Sequence, residues 1–278
     1  MSHETATRFA LPRPERGRPL SARLAAKTSR FLARHTRSKA LTLGNAVPMV
    51  TFTFDDVPVS ACSTGAAILE QYDARGTFFV AGAGCGADSP GGALATPAQL
   101  RALHANGHEI GCHTYSHPAV SDLGSAELLG DLDSNRRFLS GIDRGIAVRN
   151  FAYPYGDLSF RTKRLLEARF DSCRSLLRGV NEGVADLGAL KTCPLEDATI
   201  DRAGILAFIA STVRSNGWLI FSSHDVAARP SKFGVTPDLL DFAVRASRDS
   251  GCRLATIADA IALARAAKTV RGSNRRAS

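Results

Sequence analysis

Short apolar segments alternate with longer amphipathic ones from residue 47 onward, and this alternation limits the possible folds more than any other feature of the sequence. The short segments are rich in β-branched and aromatic residues, as strands are; they are PMVTFTF, TFFVAG, HEIGCH, VRNFAYP and WLIFSSH. The longer segments, such as SAELLGDLDSNRRFLSGI, have the spacing of helices with one apolar face. The alternation predicts an α/β fold in which helices cover a parallel sheet, either a barrel or a doubly wound layer.

The net charge of +9 is concentrated at the two ends of the chain. Residues 1–40 hold ten Lys or Arg and two Asp or Glu, a net charge of +8, and residues 268–278 hold four basic residues and no acid, a net charge of +4. Subtracting +8 and +4 from +9 leaves −3 for residues 41–267. We therefore predict a basic, flexible N-terminal extension (1–40), one folded domain (41–267) and a basic C-terminal tail (268–278). A nucleic-acid-binding core is not expected.

The basic N-terminal segment SARLAAKTSRFLARHTRSKAL allows two interpretations. A helix with Leu20, Leu24, Phe31 and Leu32 on a loosely apolar side could lie on anionic lipid, whereas a solvated extension would have no such role. The first twenty residues lack the apolar core of a secretory signal. No apolar run approaches the roughly 20 residues of a membrane-spanning helix. We expect a cytoplasmic protein, in peripheral contact with the inner membrane face if the helix binds lipid, with its six cysteines reduced.

Reactive side chains follow four of the predicted strands. Asp55 and Asp56 end the first, His113 and His117 follow another, YPYGD follows a third, and His224 follows WLIFSSH. In parallel α/β folds, the loops after the C-terminal ends of the strands carry the chemistry. The four groups should therefore meet on one face of the molecule.

The spacing of His113 and His117 is compatible with a shared divalent ion, although a histidine that is simply satisfied within the fold is the commoner meaning of this pattern. A carboxylate from Asp55 or Asp56 would complete a set of two histidines and one carboxylate with open positions for water and substrate. The other carboxylate could then accept a proton from a water that the ion makes more acidic, or could cap a turn. His224 could donate a proton to a leaving amine, or could be a neutral histidine at the edge of the sheet.

The motifs that contain these residues resemble those of the NodB-homology polysaccharide deacetylases, carbohydrate esterase family four. TFTFDD is similar to the first motif of that family, HTYSH to the second, FAYPYG to the third and WLIFSSHD to the last. The resemblance covers about residues 47 to 265 and implies a deformed (β/α) barrel of about seven parallel strands. It also implies that the predicted domain 41–267 is catalytic.

Carried over residue by residue, the resemblance implies that Asp55 is the general base and His224 the general acid. It implies that Asp56, His113 and His117 bind one divalent metal ion, zinc first and cobalt, nickel or manganese as alternatives. The activity implied is a metal-dependent removal of N-acetyl groups from an amino-sugar oligosaccharide, polysaccharide or lipid-linked glycan of the N-acetylglucosamine type, with release of acetate.

The third motif departs from the family pattern. It has Ala152 where many members have an arginine that orients the base, and we consider Arg149 or Arg174 as its replacement. The backbone N–H of Tyr155 is the implied donor to the oxyanion, and Asp197 is our candidate for the acid that tunes the general acid. Two further interpretations remain open: the same metal site could act on a non-sugar amide, a formamide or an O-acetyl ester, or the chain could be a non-catalytic carbohydrate-binding relative.

Overall fold

A computed structural model describes residues 20–89 and 91–274. Its strands are β1 (Ala40–Thr42), β2 (Met49–Asp55), β3 (Thr77–Val80), β4 (Asp88–Ser89), β5 (Gly92–Ala93), β6 (Glu109–Cys112), β7 (Asn150–Ala152), β8 (Ser172–Arg178), β9 (Val184–Asp186), β10 (Leu190–Pro194), β11 (Trp218–Ser223) and β12 (Arg253–Leu254). Its α-helices are α1 (Leu20–His35), α2 (Ala66–Gln71), α3 (Pro97–Ala105), α4 (Ser125–Ile142), α5 (Phe160–Glu167), α6 (Arg202–Ser215), α7 (Pro237–Asp249) and α8 (Ile257–Asn274).

Seven parallel strands form a closed barrel, in the order β11-β10-β8-β7-β6-β3-β2, and β11 pairs with β2 to complete the ring. This confirms the predicted deformed (β/α) barrel and decides between the barrel and the doubly wound layer. Strand β2 is buried at every position, since neighbouring strands and helices cover both of its faces. The tryptophan Trp218 is fully buried, and its Nε1–H donates to Thr51 Oγ1 at 2.9 Å.

The barrel wall is uneven around β2. Six residues of β2 pair with β11, from Met49 with Trp218 to Phe54 with Ser223. On its other edge, only the residues from Thr53 to Asp55 pair with β3, because the start of the strand pairs with β12. Strand β12 is thus wedged between β2 and the neighbouring helices at the N-terminal end of the barrel, which is one source of the deformation.

The sequence did not predict strands β8 and β10, although the barrel cannot close without them. The sequence of β8, SCRSLLR, contains two arginines, and that of β10, LKTCP, contains a lysine and a proline. Neither has the continuous apolar character of β2, so periodicity alone does not reveal them. Both are held in the wall by parallel pairing with strands on either side.

Residues 20–40 differ from the predicted flexible extension, because they are folded against the domain. Helix α1 packs on α5 with Ala33 fully buried, and β1 pairs antiparallel with β9. Residues 1–19 lie outside the described residues. At the other end, α8 continues to Asn274, so the predicted boundary at 268 falls inside a helix. Among the helices of the described ranges, none is long and apolar enough to span a membrane.

Candidate active site

The predicted site residues meet at the C-terminal ends of the barrel strands. Asp55 is the last residue of β2 and Asp56 follows it, while His113 follows β6 directly and His224 follows β11. Because all the barrel strands are parallel, these ends share one rim. The site therefore draws on residues that are distant in the sequence, each positioned by a different strand.

Asp56, His113 and His117 each offer one ligand atom, and these atoms all lie within 4.8 Å of one another. The Nε2 atom of His117 lies 3.3 Å from Asp56 Oδ1, and that of His113 lies 3.9 Å from the same oxygen. Ligands around a tetrahedral zinc ion, with bonds of about 2.0–2.1 Å, are separated by roughly 3.3 Å. The cluster is therefore of the right size for one divalent ion.

Hydrogen bonds at the opposite ring nitrogens orient both imidazoles. His113 Nδ1 lies 2.8 Å from the carbonyl oxygen of Ala152, to which it must donate, and this leaves Nε2 with its lone pair. His117 Nδ1 lies 3.0 Å from the hydroxyl of Tyr155. Burial lowers the pKa of each histidine to about 4, so both are neutral near pH 7. A neutral imidazole is the form that binds metals.

The third member, Asp56, also fits a cation. Its Oδ1 atom is buried and accepts no hydrogen bond from the described residues. Burial raises the pKa of Asp56, and the neighbouring carboxylate of Asp55 acts in the same direction. A buried carboxylate oxygen without a donor is costly unless a cation is bound to it. The donor set of one carboxylate and two neutral imidazoles thus suits zinc or a similar divalent ion.

The loops that carry these ligands have strained backbones. Asp56, Val57, Thr114, His117 and Tyr155 all have φ between 54° and 64°, in the left-handed region. This region is unfavourable for residues other than glycine, and most of all for a β-branched residue such as Val57. Five such residues in three loops around one cluster indicate that the surrounding structure fixes the site before any ligand binds.

Asp131, on α4, holds the loop between the two histidines and was not recognised from the sequence. Its carboxylate accepts the backbone N–H of Tyr115 at 2.6 Å and that of Ser116 at 3.1 Å. Within the same loop, the N–H of His117 donates to Thr114 Oγ1 at 3.1 Å. An acidic residue in the middle of an amphipathic helix gives no sequence signal of such a contact.

Arg174, on β8, contacts the candidate base. Both residues are buried, and the guanidinium donates from Nη2 to the carboxylate of Asp55. Burial acts to raise the pKa of Asp55, but the charge and hydrogen bond of Arg174, together with the nearby His113 and His224, outweigh it and hold the pKa below its ordinary value. Of the two arginines considered as replacements, the structure brings only Arg174 to the site, because Arg149 is exposed and pairs with Asp171 at 2.7 Å.

His224 lies at the same rim, beside Phe233, with their ring centroids 5.3 Å apart. Its Nδ1 atom is buried and has no hydrogen-bond partner among the described residues. Burial raises the pKa of Glu196, while the imidazole of His224 acts in the opposite direction, so the two groups lie within electrostatic reach. Sequence reasoning chose the next residue, Asp197, instead.

Asp197 is a correction to the sequence analysis. Its Oδ1 atom accepts the backbone N–H of Thr236 at 2.8 Å and the hydroxyl of the same residue at 3.3 Å. Thr236 is the residue that precedes α7, so this carboxylate satisfies donors at a helix start and has a structural function. The structure therefore assigns Asp197 to the start of α7 and not to His224.

Comparison with known proteins agrees with this geometry. Residues 44–169 match the sequence model described as Polysaccharide deacetylase. A chitin deacetylase of Colletotrichum lindemuthianum is 30% identical over 132 residues, which are 45% of this chain and 52% of that protein. A chitooligosaccharide deacetylase of Azorhizobium caulinodans is 32% identical over 108 residues, 38% of this chain and 48% of that protein. The chain thus spans about half the length of these two relatives.

The fold extends the comparison beyond the matched segment. The solved structure of the Colletotrichum lindemuthianum chitin deacetylase superposes with a TM-score of 0.57 over 79% of this chain and 89% of that one, at 21% identity. This likeness is one of fold. Arg174 and His224 lie outside the matched residues 44–169, so their place at the rim rests on the barrel geometry.

Proposed function

We propose that this chain, whose residues 44–169 match the polysaccharide deacetylase model, belongs to that family and is a metal-dependent hydrolase that removes N-acetyl groups from an amino-sugar glycan or glycolipid of the N-acetylglucosamine type. The observation that carries the proposal is the convergence of Asp56, His113 and His117 on one point beside the buried ion pair of Asp55 and Arg174. Two of the relatives are named for deacetylation of chitin and of chitooligosaccharides, which supports the choice of substrate class.

Asp56, His113 and His117 are the residues that would hold the metal. A divalent ion bound there, which we propose to be zinc, supplies a Lewis acid that polarises the amide carbonyl and lowers the pKa of a water molecule. Cobalt, nickel and manganese accept the same donor set and are the alternatives. The remaining steps belong to side chains and backbone groups of the chain itself.

Asp55 is the proposed general base. Because Arg174 holds its pKa low, Asp55 is ionised near neutral pH and can accept a proton from the attacking water. The same guanidinium disfavours the protonated form of Asp55 that results. The proton therefore passes on to solvent, and the carboxylate is regenerated. Arg174 thus supports the base without contacting the substrate.

His224 is the proposed general acid. As the oxygen of the water bonds to the acetyl carbon and the carbon–nitrogen bond breaks, the sugar nitrogen takes up a proton, and acetate and a free amine result. His224 is half-buried and follows β11, the neighbour of β2 in the barrel wall. The backbone N–H of Tyr155 is the proposed donor to the oxygen that gains negative charge during attack.

Two other functions use parts of the same site. A non-sugar amide, a formamide or an O-acetyl ester would be hydrolysed by the same groups. One substrate of each kind forms the amide and ester panel used in the test of the proposal. A non-catalytic carbohydrate-binding role is the less favoured alternative, because Asp55, Asp56, His113, His117 and His224 are all present and brought together at one rim.

The proposal is tested by measuring acetate release from N-acetylglucosamine oligomers with purified protein, after chelation and again after zinc is restored. We expect release that stops with the chelator and returns with zinc. His117→Ala should abolish it, whereas His104→Ala should not, because His104 pairs with Asp143 at the surface, away from the site. No release from oligomers but release from the amide or ester panel would refute the glycan assignment, and no release from any substrate with metal bound would refute the activity.

A further inference from the structure

Helix α1 turns its small residues to the barrel and its large apolar residues to solvent. Ala33 is fully buried and Ser29 is half-buried, while Leu24 is 65%, Phe31 59% and Leu32 42% exposed. An ordinary surface helix buries its apolar face against the core. The spacing of 24, 31 and 32 places the three exposed side chains along one side of the helix, which we call the α1 stripe. The side chain of Leu20 lies outside the described part of the chain.

Reciprocal hydrogen bonds fix the orientation of this helix. The buried ammonium of Lys163, on α5, donates to the carbonyl oxygens of Ala33, at 2.9 Å, and Thr36, at the C-terminal end of α1. Lys39, just beyond α1, donates in turn to the carbonyl oxygen of Phe170, at 2.6 Å, just beyond α5. Each lysine satisfies carbonyl groups at the end of the other helix. The α1 stripe is therefore held outward and cannot be buried by rotation of the helix.

The charge beside the α1 stripe indicates what covers it. Arg23, Lys27 and Arg34 are exposed and follow one edge of the stripe, and α1 contains no acidic residue. A second copy of the chain would bring the same positive charges together, which is unfavourable. Anionic lipid headgroups would meet these charges while the three apolar side chains entered the acyl boundary, as in helices that lie in a membrane interface.

The stripe lies toward the rim that carries the candidate site. Helix α5 begins shortly after Tyr155, at the C-terminal end of the barrel, and the backbone N–H of Phe160, its first residue, donates to Ser29 Oγ at 3.0 Å. A groove of about 600 Å³ between the two helices is lined by Leu24, Leu32, Phe160 and their neighbours, and it continues the apolar surface. A membrane at the stripe would thus lie near the site.

We propose that α1 binds the surface of an anionic bilayer, with the α1 stripe inserted and the three flanking cations on the headgroups. The surface orients the strand-end rim of the barrel relative to the lipid. This inference does not depend on the proposed hydrolase activity, since it rests on α1 alone.

Vesicle co-sedimentation of the full chain tests the inference, with phosphatidylcholine vesicles compared with vesicles that also contain phosphatidylglycerol. We expect at least about tenfold tighter binding to the anionic vesicles, weakening as salt is raised. The combined change Leu24→Ser, Phe31→Ser and Leu32→Ser should weaken binding by at least about tenfold. Neutralising the cations, with Arg23→Gln, Lys27→Gln and Arg34→Gln, should weaken it on the order of 100-fold at low salt.

A matched control uses exposed apolar residues elsewhere. Leu206 and Val213, on α6, are 48% and 40% exposed, and their replacement with serine should leave vesicle binding unchanged. Circular dichroism and thermal unfolding establish that each variant is folded. Equal binding to both vesicle types, no binding to either, or full binding by the stripe variant would overturn the inference. A dimer in light scattering that the stripe variant dissociates would identify a second copy as the occupant and would also overturn it.

Discussion

Replacing Arg174 with methionine is the sharpest test of how the site is built. Methionine keeps an apolar stem but removes the charge together with the guanidinium, whose carbon lies 5.3 Å from the ring centroid of Phe79. Asp55 is only 4% exposed, so its carboxylate would stay buried without its partner. Breaking a buried ion pair in this way costs about 3–5 kcal/mol of the free energy of unfolding. Urea unfolding followed by the fluorescence of Trp218, the single tryptophan, measures this loss.

A double-mutant cycle separates the ion pair from packing. Asp55→Asn combined with Arg174→Met replaces both charges, and we expect the double variant to recover most of the loss, to within about 1–2 kcal/mol of the original chain. Arg149→Met is the matched control, because its exposed ion pair with Asp171 should contribute at most about 1 kcal/mol.

The same variant predicts a change in pH dependence. Without Arg174 the pKa of Asp55 rises, because burial is then no longer outweighed. The ionised base therefore forms only at higher pH, and the acidic limb of acetate release should move toward higher pH. A loss of stability below about 1 kcal/mol together with an unchanged pH profile would refute the argument that this arginine supports the base.

Three further changes probe other parts of the molecule. Zinc at a thousandfold excess over its dissociation constant should stabilise the metal-free protein by about 4 kcal/mol, measured as a rise in the midpoint of thermal unfolding. His113→Ala should abolish that rise. A rise that persists in the variant would show that the ion binds elsewhere. Lys163→Met removes a fully buried ammonium and leaves the half-buried carboxylate of Asp186 without this partner. The change should cost about 3–5 kcal/mol of the free energy of unfolding, with faster tryptic cleavage inside α1. Unchanged cleavage would contradict the anchoring of that helix. Burial raises the pKa of all six thiols, to about 12 for Cys62 and about 11 for Cys85, the two half-buried ones. At pH 8, therefore, at most about one thiol in a thousand is ionised at these two residues. Alkylation of the native protein, followed by mass spectrometry, should be slow, and rapid labelling of either residue would contradict this.

Periodicity predicted helices over a parallel sheet and strand ends predicted a shared metal site, while the family resemblance supplied the barrel and the choice of Asp56 with His113 and His117. The first two predictions depend on patterns that are local: strand and helix periods, and ligands that follow the end of a strand. The start of helix α3 is likewise decided locally, since Thr96 caps it and Gln99 completes the capping box. Such features are decided within a few residues and can be read without knowing the partners in space.

What could not be predicted depends on contacts between distant segments. Strand β8 contains an arginine at a buried position, which periodicity counts against a strand, and only the pairing of Arg174 with Asp55 explains it. The choice between Glu196 and Asp197 depends on which way each side chain points. The flexible extension was expected because residues 1–40 are strongly basic, but Lys163, far along the chain, holds its helical part in place.

The uneven pairing of β2 means that the metal ligands belong to two panels of the barrel wall. Asp56 follows β2, which six residue pairs join to β11, whereas His113 follows β6, which four residue pairs join to β3. The panels meet along a seam of only three residue pairs between β2 and β3. Any opening between β2 and β3 would draw the carboxylate of Asp56 away from the two imidazoles and would weaken the binding of an ion. An ion bound by Asp56 and the two histidines would connect these two parts of the barrel wall. The stability of the wall would then depend on whether the site at its rim is occupied.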